Sequence, residues 1–147
     1  MTSEKRSTAM KLVHLNVEEN QATTGDWLNT DTQLKMGDRV QLGSQAVSLG
    51  AVEDDQILGR LVASIFFNSM HIALFAVKPE SRSHGVGSFL IDQAETIARD
   101  NHCTFITLET MSFNAPAFYK KHGYQVMHEF KDSPVTGTSH YYFYKDL

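Results

Sequence analysis

Three segments rich in branched and apolar residues, Gln45 to Glu53, Ile57 to Phe67 and Met70 to Val77, follow one another with almost no chain between them. Links as short as Asp54-Asp55-Gln56 and Asn68-Ser69 leave no room for a crossover helix, so the segments are predicted to form an antiparallel meander. The next stretch breaks that pattern. From about Ser88 to Arg99, the residues Leu90, Ile91, Ala94, Ile97 and Ala98 stand at the spacing of one apolar helix face. Thr104 to Glu109 then reads as a strand, and a strand reached through a helix pairs in parallel somewhere in the sheet. A meander that gives way to a crossover restricts the fold to a mixed α/β sheet with a helix lying on it.

The other segments fill out this plan. Met10 to Val17 is predicted to be a first strand and Asp26 to Met36 a short helix, within a mostly polar stretch from Glu18 to Ser44 broken by Gly25, Gly37 and Gly43. A second helix is expected over Ala115 to His122, with Asn114 as its cap, Pro116 in its first turn and Gly123 ending it in a left-handed conformation. Strands Tyr124 to Phe130 and His140 to Lys145 follow, separated by a loop holding Pro134 and Gly137. With no repeat and no linker, residues 1–147 are expected to form a single domain, residues 1–9 being loose.

A net charge of -4 with scattered Lys and Arg argues against a nucleic-acid surface. One cysteine, Cys103, excludes an internal disulfide. The polar start resembles neither a signal peptide nor an anchor, and no apolar run approaches the roughly 18 residues of a membrane span. An intracellular, cytoplasmic protein that uses no membrane is therefore expected.

The run Arg82-Ser83-His84-Gly85-Val86-Gly87 lies between the strand ending at Val77 and the helix. Two glycines one residue apart let the backbone curl with its N–H groups inward, and a helix start adds unpaired N–H groups and the positive end of its dipole. Such a turn seats an anion without a lysine, although a Gly-x-Gly between strand and helix also serves as a plain tight turn. The dinucleotide fingerprint G-x-G-x-x-G fits poorly, since Leu90 stands at the third glycine and an antiparallel meander precedes the loop. No Gly-Lys-Ser/Thr of a P-loop follows.

The pattern Arg-x-x-Gly-x-Gly, preceded by Phe75-Ala76-Val77-Lys78-Pro79, resembles the GNAT superfamily of N-acetyltransferases. So does Leu108-Glu109-Thr110 followed by Asn114-Ala115-Pro116-Ala117-Phe118-Tyr119, in the same order and at the same spacing. The resemblance covers roughly residues 70 to 130 and implies a GNAT-like acyl-CoA N-acyltransferase fold, antiparallel in its first half and splayed between its central strands. It implies acetyl-CoA as co-substrate, with pantetheine along the strand edge of Phe75, Ala76 and Val77. The pyrophosphate would sit on the N–H groups of Arg82, Ser83, His84, Gly85, Val86, Gly87 and Ser88. His84 stands where many members carry Arg or Lys. Asn114 would contact the pantetheine arm, cap the helix, or do both.

Tyr119 matches the family's tyrosine and would protonate the departing thiolate, while its alternative role is core packing beside Phe118 and Tyr124. An amine acceptor must lose a proton before it attacks; Glu109 is the first candidate for the base and His71 the second, against the reading of Glu109 as an exposed strand end or an anchor for the amine. No His-x-x-x-His or Cys-x-x-Cys spacing supports a metal, and Cys103, without a neighbouring cation, reads as a buried thiol. The pair Lys120-Lys121 reads as a solvated helix face, and the resemblance implies that this region can approach the CoA 3′-phosphate. The implied reaction is acetyl transfer to a primary amine of a small molecule or peptide by direct attack in a ternary complex; the alternative is a non-catalytic acyl-CoA-binding module of the same fold. The short stretch from Glu18 to Ser44 leaves the acceptor site either open or completed by a second subunit in a homodimer.

Overall fold

A computed structural model describes residues 9–147, which fall into two units, 9–40 and 41–147. Most of the expected loose start, residues 1–8, lies outside the described residues. In the first unit, residues 9–16 form no regular element and helix α1 runs Val17–Met36. The strand expected at Met10 to Val17 is therefore absent, and the helix begins nine residues before the expected Asp26. Asn16 explains the change: its side chain accepts the N–H of Glu19 at 3.0 Å, an N-cap reinforced by Glu18 and Glu19 at the positive end of the helix dipole. The branched residues before it have no ladder partner, because the sheet contains only later segments. Gly37, at φ +61°, ends α1.

The second unit is a six-stranded mixed sheet carrying α2 and α3. Its strands are β1 (Ser44–Glu53), β2 (Gln56–Phe66), β3 (Ser69–Val77), β4 (Phe105–Met111), β5 (Gln125–Lys131) and β6 (Ser139–Asp146), in the order β1-β2-β3-β4-β6-β5. As expected, β1, β2 and β3 form the antiparallel meander, and α2 (Val86–Asp100) carries the chain across to a parallel β3–β4 pair. The short helix α3 (Pro116–Lys121) joins β4 to β5. Among the described residues, no helix is long and apolar enough to cross a membrane.

The core lies between one face of the sheet and α2. Leu90, Ile91, Ala94 and Ala98 from the helix meet Leu61, Met70, Ile72, Ile106, Leu108 and Phe143 from four strands. Each large side chain withdrawn from water contributes about 1.5–3 kcal/mol. The same helix face also buries Glu95, only 5% exposed. Its Oε1 accepts from Lys145 Nζ at 2.8 Å and from the Tyr124 hydroxyl at 3.2 Å. Lys145 also donates to the His122 carbonyl at 2.8 Å, so one buried cluster ties α2, the end of α3 and β6 together.

The parallel pair is short by design of the backbone. β3 bonds β4 only over Ser69–Ile72 opposite Phe105–Leu108, after which β3 runs on to Val77 and β4 to Met111 without touching. The β2–β3 register shifts at this point: Ala63 faces Ile72 and Val62 faces Leu74, leaving Ala73 as a bulge. A bulge bends its strand and steepens its twist, which swings the end of β3 away from β4.

Candidate active site

The two strands part into a cleft of about 990 Å³. One wall is the free edge of β3. The Lys78 N–H donates to the Leu58 carbonyl at 2.8 Å, so Lys78 and, by alternation, Ala76 turn their backbone groups toward β2. Phe75 and Val77 consequently present their N–H and C=O groups to the cleft, where no strand pairs with them. The structure thus separates Ala76 from its neighbours: it lines the cleft without offering its backbone to it.

The lip above that edge is the turn from Arg82 to Gly85 leading into α2. Helix α2 begins at Val86, two residues before the expected Ser88, and its first turn has no side-chain cap. The two glycines do different things. Gly85 takes φ +81°, the left-handed conformation that aims the turn, whereas Gly87 already belongs to the helix. A Cβ on Gly87 would stand 3.2 Å from the Phe118 ring and 3.6 Å from Val77, so this glycine lets α2 lie close against α3 and β3. Ser83 shares the left-handed conformation at φ +67°. Arg82, Ser83, Gly85, Val86, Gly87 and Ser88 all line the cleft; His84, exposed on the turn, does not.

The opposite wall comes from β4 and α3. Glu109, Asn114 and Tyr119 line it, together with Thr110, Met111 and Phe118. Asn114 is not the helix cap: that position is Ala115, with no side-chain bond, while the Asn114 N–H closes a turn onto the Met111 carbonyl at 2.9 Å. Gly123, at φ +88°, ends the helix region as expected. Lys121 reaches the cleft, whereas Lys120 lies over the Tyr141 ring at 5.9 Å. Ser88 Oγ and His122 Nε2 share a hydrogen bond at 3.0 Å, linking the start of α2 to the end of α3.

Tyr119 is 8% exposed and packed edge-on by Phe75, Phe118 and Tyr124, with ring centroids 5.3–6.3 Å away. Burial pushes its phenol up to about 12, with no hydrogen-bond partner contributing. Among the described residues no fully buried side-chain oxygen lacks a partner, and Tyr119 lines the cleft. Tyr124 differs: burial first, then the Glu95 carboxylate, raise its phenol further, and its proton is committed to Glu95. Packing and chemistry are thus compatible in Tyr119 and exclusive in Tyr124.

Glu109 lies at the exposed end of β4 and its Oε2 is 2.9 Å from His140 Nε2. His71 is held elsewhere, its Nδ1 2.8 Å from Thr107 Oγ1, and it does not line the cleft. Cys103 is buried, which raises its thiol, in keeping with a packing role. Among the described residues there is no group of three or more His, Cys, Asp or Glu placed to hold a metal ion. Sequence reasoning missed His140 and His122; only the pairing of β4 with a strand about thirty residues later brings His140 to Glu109.

A mixed sheet opened between its parallel strands, with a glycine turn and a helix start on one lip, is the architecture of acyl-CoA-dependent N-acyltransferases. Residues 12–124 match the acetyltransferase (GNAT) family, and the chain belongs to that family. The blasticidin-S acetyltransferase of Streptomyces morookaense is 36% identical over 89 residues, 60% of this chain and 65% of that protein. The chain thus matches just under two thirds of that relative's length. An acetyltransferase from Bacillus cereus ATCC 14579 superposes with a TM-score of 0.81 at 29% identity, covering 94% of this chain and 98% of that one. A protein provisionally named streptothricin acetyltransferase from Bacillus anthracis str. Ames, solved with acetyl coenzyme A, gives a TM-score of 0.62 at 27% identity over 69% of this chain and 62% of that one.

Proposed function

We propose that the protein transfers the acetyl group of acetyl-CoA to a primary amine of a small molecule or peptide by direct attack in a ternary complex. The observation that carries this reading is the splay itself. It leaves the backbone of Phe75 and Val77 unpaired on one side of the cleft and Tyr119 on the other. An amide-bearing pantetheine fits such an edge as an added strand, because its amides supply the missing ladder partners. The N–H groups of Arg82 to Ser88 and the start of α2 suit a pyrophosphate, with the exposed His84 contributing only its backbone. Asn114, no longer occupied as a cap, is free to bond the pantetheine arm.

In the reaction, an amine brought to the cleft attacks the thioester carbon, with a backbone N–H near Phe75 stabilising the oxyanion and Glu109 as the base. Tyr119 faces the leaving sulfur. A thiol ionises near ~8.5, so outright proton transfer from a phenol held at about 12 is uphill by roughly 5 kcal/mol. Tyr119 therefore serves first as a hydrogen-bond donor to the developing thiolate, and the proton moves only as sulfur gains full charge. Holding both reactants on the sheet supplies much of the remaining acceleration.

The acceptors named for the relatives, blasticidin S and streptothricin, make the first test panel. The finer reading is a cytoplasmic homodimer whose second subunit completes the acceptor wall. The single unpaired cysteine supports the cytoplasmic part of that reading, and the shortness of the stretch from Glu18 to Ser44 supports the dimeric part. The decisive experiment measures thiol release with this panel in the wild type and in Tyr119→Phe, alongside calorimetry with acetyl-CoA and NAD. We expect acetyl-CoA to bind both proteins and the variant to turn over about a hundredfold more slowly. Unchanged turnover in the variant refutes the donor role, acetyl-CoA binding without turnover on a broad amine panel favours the non-catalytic module, and binding of NAD alone overturns the assignment.

A further inference from the structure

The Glu109 carboxylate is held by a residue from the far end of the chain. In the β4–β6 ladder, Glu109 faces Tyr142 and Met111 faces His140, which places His140 diagonally across from Glu109 on the sheet face away from α2. There His140 Nε2 lies 2.9 Å from Glu109 Oε2. The imidazole is stacked on Tyr142, with centroids 4.8 Å apart and planes 24° from parallel, and Phe130 of β5 flanks it at 6.3 Å. Its side chain is 17% exposed, against 40% for Glu109. Stacking fixes the ring plane, and the ring plane fixes where the N–H points. Glu109 itself lines the cleft.

We propose that His140 is the positioning residue for the base: it donates its Nε2 proton to Glu109 Oε2 and so aims Oε1 at the acceptor amine. This rests on the reading of Glu109 as the base. The ammonium gives one proton through Glu109 Oε1 to solvent, the lone pair of the neutral amine forms the C–N bond, nitrogen gives its second proton to Glu109 Oε1, and the carbonyl re-forms as the C–S electron pair leaves with sulfur. The thiolate takes a proton by way of Tyr119, which recovers one from Glu109 through solvent. His140 begins and ends with its proton, so no further reactant is needed. An exposed carboxylate at a strand end would otherwise sample several rotamers, only some of which reach the amine.

The test compares Glu109→Gln, His140→Phe and His140→Gln in steady-state thiol release, with acetyl-CoA affinity by calorimetry as the check on folding. His140→Phe keeps the stacked ring and removes the donor; His140→Gln keeps a donor and removes the ring. We expect Glu109→Gln to lower kcat about a hundredfold. His140→Phe should lower kcat about tenfold at unchanged acetyl-CoA affinity, while His140→Gln stays within about threefold of the wild type because the donor is retained. The double variant Glu109→Gln, His140→Phe should be no slower than Glu109→Gln alone, since the two residues act as a unit. Wild-type kcat in His140→Phe, with Glu109→Gln impaired, overturns the role of His140 and leaves the base standing. Wild-type kcat in Glu109→Gln overturns the base and the positioning role together. Should His140→Phe lose acetyl-CoA binding, His140→Gln decides alone: a tenfold loss of kcat at normal acetyl-CoA affinity refutes the proposal.

Discussion

At the scale of single residues, Tyr119 connects the cleft to the stability of the fold. Its phenol ionises near ~10 when the chain is unfolded and at about 12 when folded. Below pH 10 both states keep the proton and the group adds no pH dependence. Between pH 10 and 12 the unfolded chain releases the proton and the native state does not, so stability falls as pH rises, by roughly 2–3 kcal/mol over the window. Tyr124, also raised, steepens the loss. Urea midpoints measured from pH 8 to 12 should decline above pH 10, and the decline should be shallower in Tyr119→Phe. Gly87 makes a separate prediction. Its methylated form would press on the Phe118 ring at 3.2 Å, so Gly87→Ala should cost about 1–3 kcal/mol in denaturation and weaken acetyl-CoA binding, because Phe118 and the first turn of α2 must shift together. The glycine pair was visible in the sequence as one curled loop; that Gly85 supplies the curl and Gly87 the close approach depends on Phe118, thirty-one positions away.

At the scale of elements, α2 joins the core to the site. Its apolar face was readable from the spacing of Leu90, Ile91, Ala94, Ile97 and Ala98, but Glu95 on the same face was not, because its partners Lys145 and Tyr124 come from the end of the chain. Removing one partner should be far worse than its mild appearance suggests. Lys145→Met leaves Glu95 buried without its counter-charge and also frees the His122 carbonyl, a loss of about 3–5 kcal/mol. Chemical denaturation should show it, and Glu95→Leu combined with Lys145→Met should recover most of that stability, since no charge then remains to be solvated. Helix α1 teaches the reverse lesson. Met10 to Val17 has the composition of a strand, yet a strand needs a neighbour, whereas the Asn16 cap needs only Glu19 three residues on.

At the scale of the whole molecule, the sheet order decides where chemistry can occur. The four antiparallel strand pairings run along most of the strands' length, and only the parallel β3–β4 pairing opens. Occupying that opening should stabilise the protein: acetyl-CoA at one hundred times its Kd raises unfolding free energy by about 2.7 kcal/mol, and NAD should give no shift. Thermal unfolding with each ligand checks this. Light scattering at high concentration checks the dimer, a strict monomer arguing against a shared acceptor site.

The sequence by itself determined the mixed sheet, the meander and crossover, the position of α2 and the turn before it, and the identities of Tyr119, Glu109 and Asn114 as candidates. The fold features follow from short-range periodicity, link length and turn chemistry, which neighbouring residues dictate, and the three candidates from the resemblance of their motifs to the GNAT superfamily. Tertiary structure decided the rest: the bulge at Ala73 that opens the cleft, the exclusion of His84 from it, the release of Asn114 from capping, and the partners of Glu95 and Glu109. The partners of Glu95 and Glu109 depend on segments far apart in the chain, and the Ala73 bulge on the register of β3 against β2. A shift of one residue turns a side chain to the opposite face, and no local pattern specifies it.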